Sequence, residues 1–215
     1  MKIHRYALMI IFAAAVLAGG CSSMIRPESS QPVFYKLDYQ FTPVNCSSFF
    51  KGGVRIWNFT AVPPYERTQM VVLGTGREVI FSRNYQWTAL PGAMLSKNIR
   101  NDLEGEKLFS GGLVESGMET APFELTGQIG KFACRRTNGS CRAVLEVDVT
   151  VNRTRTRGEQ VFKKKYELKS EPFDKSDSSR FAAAMSKLAG RFSEQLRQDL
   201  CAVAGKKGHR RQKAG

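Results

Sequence analysis

Five cysteines, Cys21, Cys46, Cys134, Cys141 and Cys201, and three clusters of arginine or lysine are the side chains whose spacing invites chemistry in this 215-residue chain. The cysteines are separated by seven residues or by many, never as the close pairs that hold zinc. Histidine occurs only as His4 and His209, near the two ends of the sequence, which argues against a histidine-dependent hydrolase and most zinc sites. Neither a metal nor any other cofactor is expected. Glu115 with Glu119, or Glu146 with Asp148, could pair as acid and base. Glu146 and Asp148 alternate with valines, however, which is the pattern of a solvated strand face. Gly74-Thr75-Gly76 lacks the rest of a dinucleotide fingerprint and reads as a turn. The cations make the stronger case. Arg135, Arg136 and Arg142 surround a hairpin signal, Arg153, Arg155 and Arg157 share one parity, and Lys163, Lys164 and Lys165 follow. In a meander they could converge on one end of a sheet as a patch for lipid headgroups or an anionic envelope polymer. The alternative is a basic edge that keeps strands from pairing between molecules.

The segment before these residues decides which anions they could meet. Lys2 and Arg5 precede an uncharged apolar run, Tyr6–Ala18, and then Gly19-Gly20-Cys21-Ser22-Ser23. This is the layout of a secretory signal over residues 1–20, too short and wrongly flanked for a membrane-spanning helix. Cys21 after small residues resembles a bacterial lipoprotein processing site, where the cysteine is acylated and becomes the first residue. Ala18 and Gly20 would also suit an ordinary cut that releases a soluble protein. Cysteine parity favours lipidation, because an odd count leaves one thiol over. With Cys21 acylated, four remain for two disulfides in an oxidising periplasm. Without Lys2 and Arg5, 31 basic residues stand against 19 acidic ones, a net charge of +12. Export takes nucleic acid out of the possible partners. It leaves anionic lipid, lipopolysaccharide phosphates, cell-wall polymers or an acidic protein surface.

The remaining 195 residues suffice for one domain. Residues 21–32, polar and with two prolines, form a tether reaching at most about 40 Å beyond the anchor. Residues 33–204 form the body. Val33–Thr42 and Val54–Phe59 alternate as strands, and Pro63-Pro64 breaks the second. Met70–Leu73 and Glu78–Ser82 are short strands about the glycine turn, and Phe109 with Leu113-Val114 is another. Pro91 opens a helix whose Leu95, Ile99 and Leu103 recur every four residues to about Gly105. Strands then follow on Phe123, Leu125, Gly127 and Ile129, on Leu145, Val147, Val149 and Val151, and on Phe162, Tyr166 and Leu168. If Arg136–Gly139 form a four-residue loop, Cys134 and Cys141 face each other and could bridge. A two-residue Asn-Gly turn would place them diagonally. Phe181, Met185, Leu188, Phe192, Leu196, Leu200 and Val203 mark a long amphipathic helix over Ser179–Ala204. Cys46 and Cys201 are the remaining disulfide pair. Residues 205–215 read as a basic, disordered tail. The expected fold is α+β: a mainly antiparallel sheet with two amphipathic helices packed on one face.

Gly53-Val54-Arg55-Ile56, Pro63–Val71, Ile80-Phe81-Ser82, Tyr85-Gln86-Trp87 and Leu90-Pro91 leading into a helix carry a family resemblance. Phe34-Tyr35-Lys36-Leu37 and the alanine-rich last helix add to it. The chain resembles the ABC-type transport auxiliary lipoproteins, the PqiC-like family. The resemblance implies a non-enzymatic accessory of an MCE-type lipid-transport system, with an MCE-domain protein and ABC transporter components as partners and phospholipid as a further ligand. It implies anchoring at the inner leaflet of the outer membrane, with which Ser22 after Cys21 agrees. Tyr65, Arg67 and Trp87, beside the proline-rich breaks, are the candidate partner contacts; for Trp87 the alternative is packing at a core edge. A lipopolysaccharide- or cell-wall-binding lipoprotein using the Arg135–Lys165 cations is the rival reading.

Overall fold

The computed structural model describes residues 31–115, 120–137, 139–156, 159–174 and 177–212, with side chains to Gly205. All elements below lie in one compact unit, Pro32–Gly215. Cys21, Glu119 and Arg157 are outside the described residues.

Two long strands are the frame. β6 (Phe123–Thr137) and β7 (Ser140–Arg153) form an antiparallel hairpin closed by the Thr137↔Ser140 pair, with Gly139 at φ 82° in its two-residue turn. β8 (Glu159–Lys169) continues the meander, and β9 (Phe173–Asp174) pairs with the start of β7. Alternation puts Leu125, Ile129, Val147, Val149, Val151, Tyr166 and Leu168 in the core, as their parity predicts.

The other flank of β6 departs from the expectation. β2 (Val54–Ile56), β3 (Thr60–Ala61) and β4 (Gln69–Leu73) lie end to end along it, all parallel to it. β5 (Val79–Trp87) turns back antiparallel to β4, and β1 (Val33–Tyr35) pairs in parallel with its far end. The sheet, ordered β1-β5-β4-β6-β7-β8, is therefore mixed rather than mainly antiparallel. β5 brings the chain back, and the connection through α1 (Pro91–Glu106) delivers β6 to the other side of β4, parallel to it.

α1 buries Met94, Leu95, Ile99 and Leu103, and ends with Lys107 in the left-handed region, its N–H donating to the Glu104 carbonyl. α2 (Ser178–Gln212) starts at Asp177, whose carboxylate accepts the Arg180 N–H, and buries Phe181, Met185, Leu188, Phe192, Leu196 and Leu200. Its backbone continues to Gln212, into the stretch read from sequence as a disordered tail. The expected first strand ends early, at Tyr35. Residues 38–46 cross the helices instead of the sheet, so helix side chains satisfy their backbone: Asp38 N–H donates to Ser186 and Val44 N–H to Glu106, and Thr42 C=O accepts from Arg197. Phe109 and Leu113 make isolated bridges to Phe50 and Val54, not a strand.

Candidate partner-binding surface

Tyr65 and Trp87, read from sequence as partner contacts, are packing residues. Trp87 is 1% exposed and meets Phe132 and Phe181 edge-on, with ring centroids 5.2 and 5.7 Å away. Tyr65 is 6% exposed, and burial pushes its phenol above the ordinary value against the pull of Lys131 and Arg135. Arg67 is different. Its Nε donates to the Pro64 carbonyl at 3.0 Å, and its guanidinium lies 3.9 Å over the Phe81 ring at the surface.

The eight of these cations among the described residues do not converge. Arg135, Arg136 and Arg142 sit at the β6–β7 tip, whereas Arg153 ends β7 at the opposite end of the same strands. Arg155 is in a 3-10 turn, Thr154–Thr156, so the shared parity with Arg153 is lost. Lys163, Lys164 and Lys165 pair with Thr150, Val149 and Asp148 in mid-strand. Several are already neutralised. Lys164 meets Asp199 on α2 at 2.7 Å, and Lys165 meets Glu146 at 2.7 Å and Glu167 at 3.1 Å. Glu146 also takes Lys131 at 2.5 Å, and these two lysines hold its carboxyl below the usual range. That carboxylate is committed to a surface ion network, which removes the Glu146–Asp148 acid–base pair.

What sequence reading missed is the combination of exposed apolar and unpaired cationic groups on the β4–β5 hairpin. Val79, Ile80 and Phe81 are 42%, 40% and 36% exposed. Among the described residues Arg77 and Arg83 beside them, and Arg135 at the neighbouring tip, have no hydrogen-bond or ion-pair partner. The register aligns Val79, Leu73, Arg135 and Arg142 as one row across β5, β4, β6 and β7. Runs such as Val79-Ile80-Phe81 look like core in a sequence. Only the sheet order shows that this stretch lies beyond the reach of β1 and the helices.

Two further features bear on function. A hollow of about 430 Å³ beside the end of α1 is lined by Phe49, Val54, Leu103, Phe109 and Leu113 together with Lys107. Disulfides join Cys46 to Cys201 and Cys134 to Cys141, with Cα atoms 5.8 and 5.9 Å apart. The second pair stands diagonally across the hairpin, because Cys141 pairs with Arg136 and Cys134 with Ala143. Among the described residues no cluster of three or more His, Cys, Asp or Glu could hold a metal ion. Nor is any helix among them long and apolar enough to cross a membrane.

Residues 60–197, from β3 through the hairpin to the middle of α2, match the ABC-type transport auxiliary lipoprotein components. The chain belongs to that family. As a transport auxiliary lipoprotein it is a component of the cell envelope that associates with a transport system. Its fold is that of protein XCC0632 from Xanthomonas campestris, at TM-score 0.71 and 12% identity over 82% of this chain and 99% of that one. The hypothetical protein CT253 from Chlamydia trachomatis is similar at TM-score 0.51 and 9% identity, over 72% and 98% of the two chains. No curated protein matches the sequence. The auxiliary lipoprotein thus has its surface arginines and exposed hairpin on a fold shared with these two structures.

Proposed function

We propose that this auxiliary lipoprotein is a non-enzymatic docking subunit of an ABC/MCE-type lipid-transport system. It is held by acylated Cys21 to the inner leaflet of the outer membrane and engages the MCE-domain protein or the transporter through the β4–β5 hairpin. The observation that carries this is the family match over a chain in which exposed Val79, Ile80 and Phe81 share one hairpin with Arg77 and Arg83, which have no partner among the described residues. Exposed apolar and aromatic residues flanked by arginine suit a protein contact. The apolar hollow by Lys107 supports a phospholipid as second ligand, since its volume falls within the range of small-molecule sites, about 300–1,000 Å³. The rival reading of a lipopolysaccharide or cell-wall binder has less support, because its cations lie at opposite ends of the sheet and several are internally paired.

Two measurements test this reading. Mass spectrometry of the mature N-terminus should find Cys21 acylated; an unmodified, freely soluble chain would refute the anchor. Deleting the chain should give the same envelope-permeability defect as deleting the transporter ATPase, with the double deletion no worse than either. Additive defects would place it outside that system.

A further inference from the structure

β5 is paired on both sides only over its last residues. β1 covers Tyr85, Gln86 and Trp87, and among the described residues nothing pairs with Val79–Asn84 on that edge. The direction of the free groups follows from the ladder. The Gly74 N–H donates to the Glu78 carbonyl, so in the alternation of an antiparallel pair Ile80 bonds toward β4. The N–H and C=O groups of Val79 and Phe81 point away, toward the open edge. Natural sheets normally blunt such edges by a cover, a bulge or an inward charge. Here the strand is apolar at three consecutive positions and flanked by unpaired Arg77 and Arg83.

We propose that this edge accepts an extended segment of a partner protein by strand addition, a segment in which acidic and apolar residues alternate. β1 already shows that the same edge takes an added parallel strand. Main-chain hydrogen bonds would supply affinity, and alternate side chains would supply specificity. The acidic character follows from charge: Arg77 and Arg83 flank the edge, Arg67 lies over Phe81, and Arg135 faces Arg142 directly across β6 and β7. Like charges so placed repel, and a nearby anion relieves that repulsion. A second copy of this chain would bring the same arginines together, which disfavours edge-to-edge dimers. A membrane is disfavoured too, because the hairpin tip that would enter it is Gly74-Thr75-Gly76, and the apolar side chains lie along the strand. The proposal rests on the docking role above only for the partner's origin.

The test uses the mature chain and an end-capped, fluorescent ten-residue peptide of alternating Glu and Val, against the same peptide with Lys for Glu. The Glu peptide is expected to bind at least tenfold more tightly and to slow amide exchange at Val79 and Phe81. Val79→Pro removes one edge donor without touching the β4 ladder and should abolish that protection, whereas Val79→Thr should keep it. Arg77→Glu with Arg83→Glu, both at exposed positions, should reverse the peptide preference. Equal binding of the two peptides, or binding without protection at Val79 and Phe81, overturns the proposal. So does concentration-dependent dimerisation that protects those amides without peptide, or arginine-dependent binding to phosphatidylglycerol vesicles in place of the peptide. Because no transport component is present, a positive result would stand even if the transport assignment failed, and a negative one would leave that assignment intact.

Discussion

Arg197 and Glu106, with side chains 2% and 4% exposed and 2.7 Å apart, form the buried ion pair that holds the crossing segment to the helices. Glu106 also accepts the Val44 and Cys46 N–H groups, and Arg197 donates to the Thr42 carbonyl. Burial pushes the Glu106 carboxyl up, but these N–H groups and Arg197 outweigh it and hold it below the ordinary 4.5. A carboxyl lowered on folding stabilises fully above its unfolded pKa and loses that contribution as pH falls through the folded value. Stability should therefore drop below about pH 4.5, and Glu106→Gln should flatten that part of a urea-midpoint profile against pH. Arg197→Met leaves the carboxylate buried without its cation and should cost about 3–5 kcal/mol at neutral pH. None of this is legible in sequence, because the partners of Arg197 lie 91 and 155 residues away. Asp102, which accepts from Tyr39 and Ser193, is hidden in the same way. Gly127 makes a second local point. A Cβ there would meet the Phe59 ring at 2.5 Å, whereas one on Gly76 would meet nothing within 4 Å. Gly127→Ala should lower stability by about 1–3 kcal/mol and Gly76→Ala by less than about 0.5, as read from denaturant midpoints.

At the scale of elements, the two disulfides close loops of very different length, with separations of 155 and 7 residues. Chain entropy assigns about 5 kcal/mol to the first and about 2 to the second. Replacing Cys46 and Cys201 by serine should therefore lower the unfolding midpoint well beyond the same change at Cys134 and Cys141. The strand meander and both helices were legible because each buries one face and repeats with period two or near 3.6. Trp87→Ala, in the core between β6 and α2, should cost about 3–5 kcal/mol, well beyond any effect on a surface contact. The parallel half of the sheet was not legible. β2 and β4 are short strands that carry no sign of direction; the crossover through β5 and α1 sets it. The exposed β4–β5 hairpin escaped for a related reason: exposure of Val79–Phe81 is a property of sheet order, not of composition.

For the whole molecule, the excess of positive charge is spread over the surface, and the structure sorts it. Lys164 and Lys165 of β8 are spent on Asp199, Glu146 and Glu167, while Arg77 and Arg83 of the hairpin stay unpaired among the described residues. Partner association through the hairpin should accordingly weaken as salt rises, whereas the fold should change little. The most direct test is co-purification of the full-length chain, its signal intact, from gently solubilised envelopes, beside a variant carrying Arg77→Glu and Arg83→Glu. The account predicts that the unaltered chain brings down an MCE-domain protein or ABC transporter component and that the variant, equally folded, does not. Recovery of no such component, or equal recovery with both chains, would contradict it.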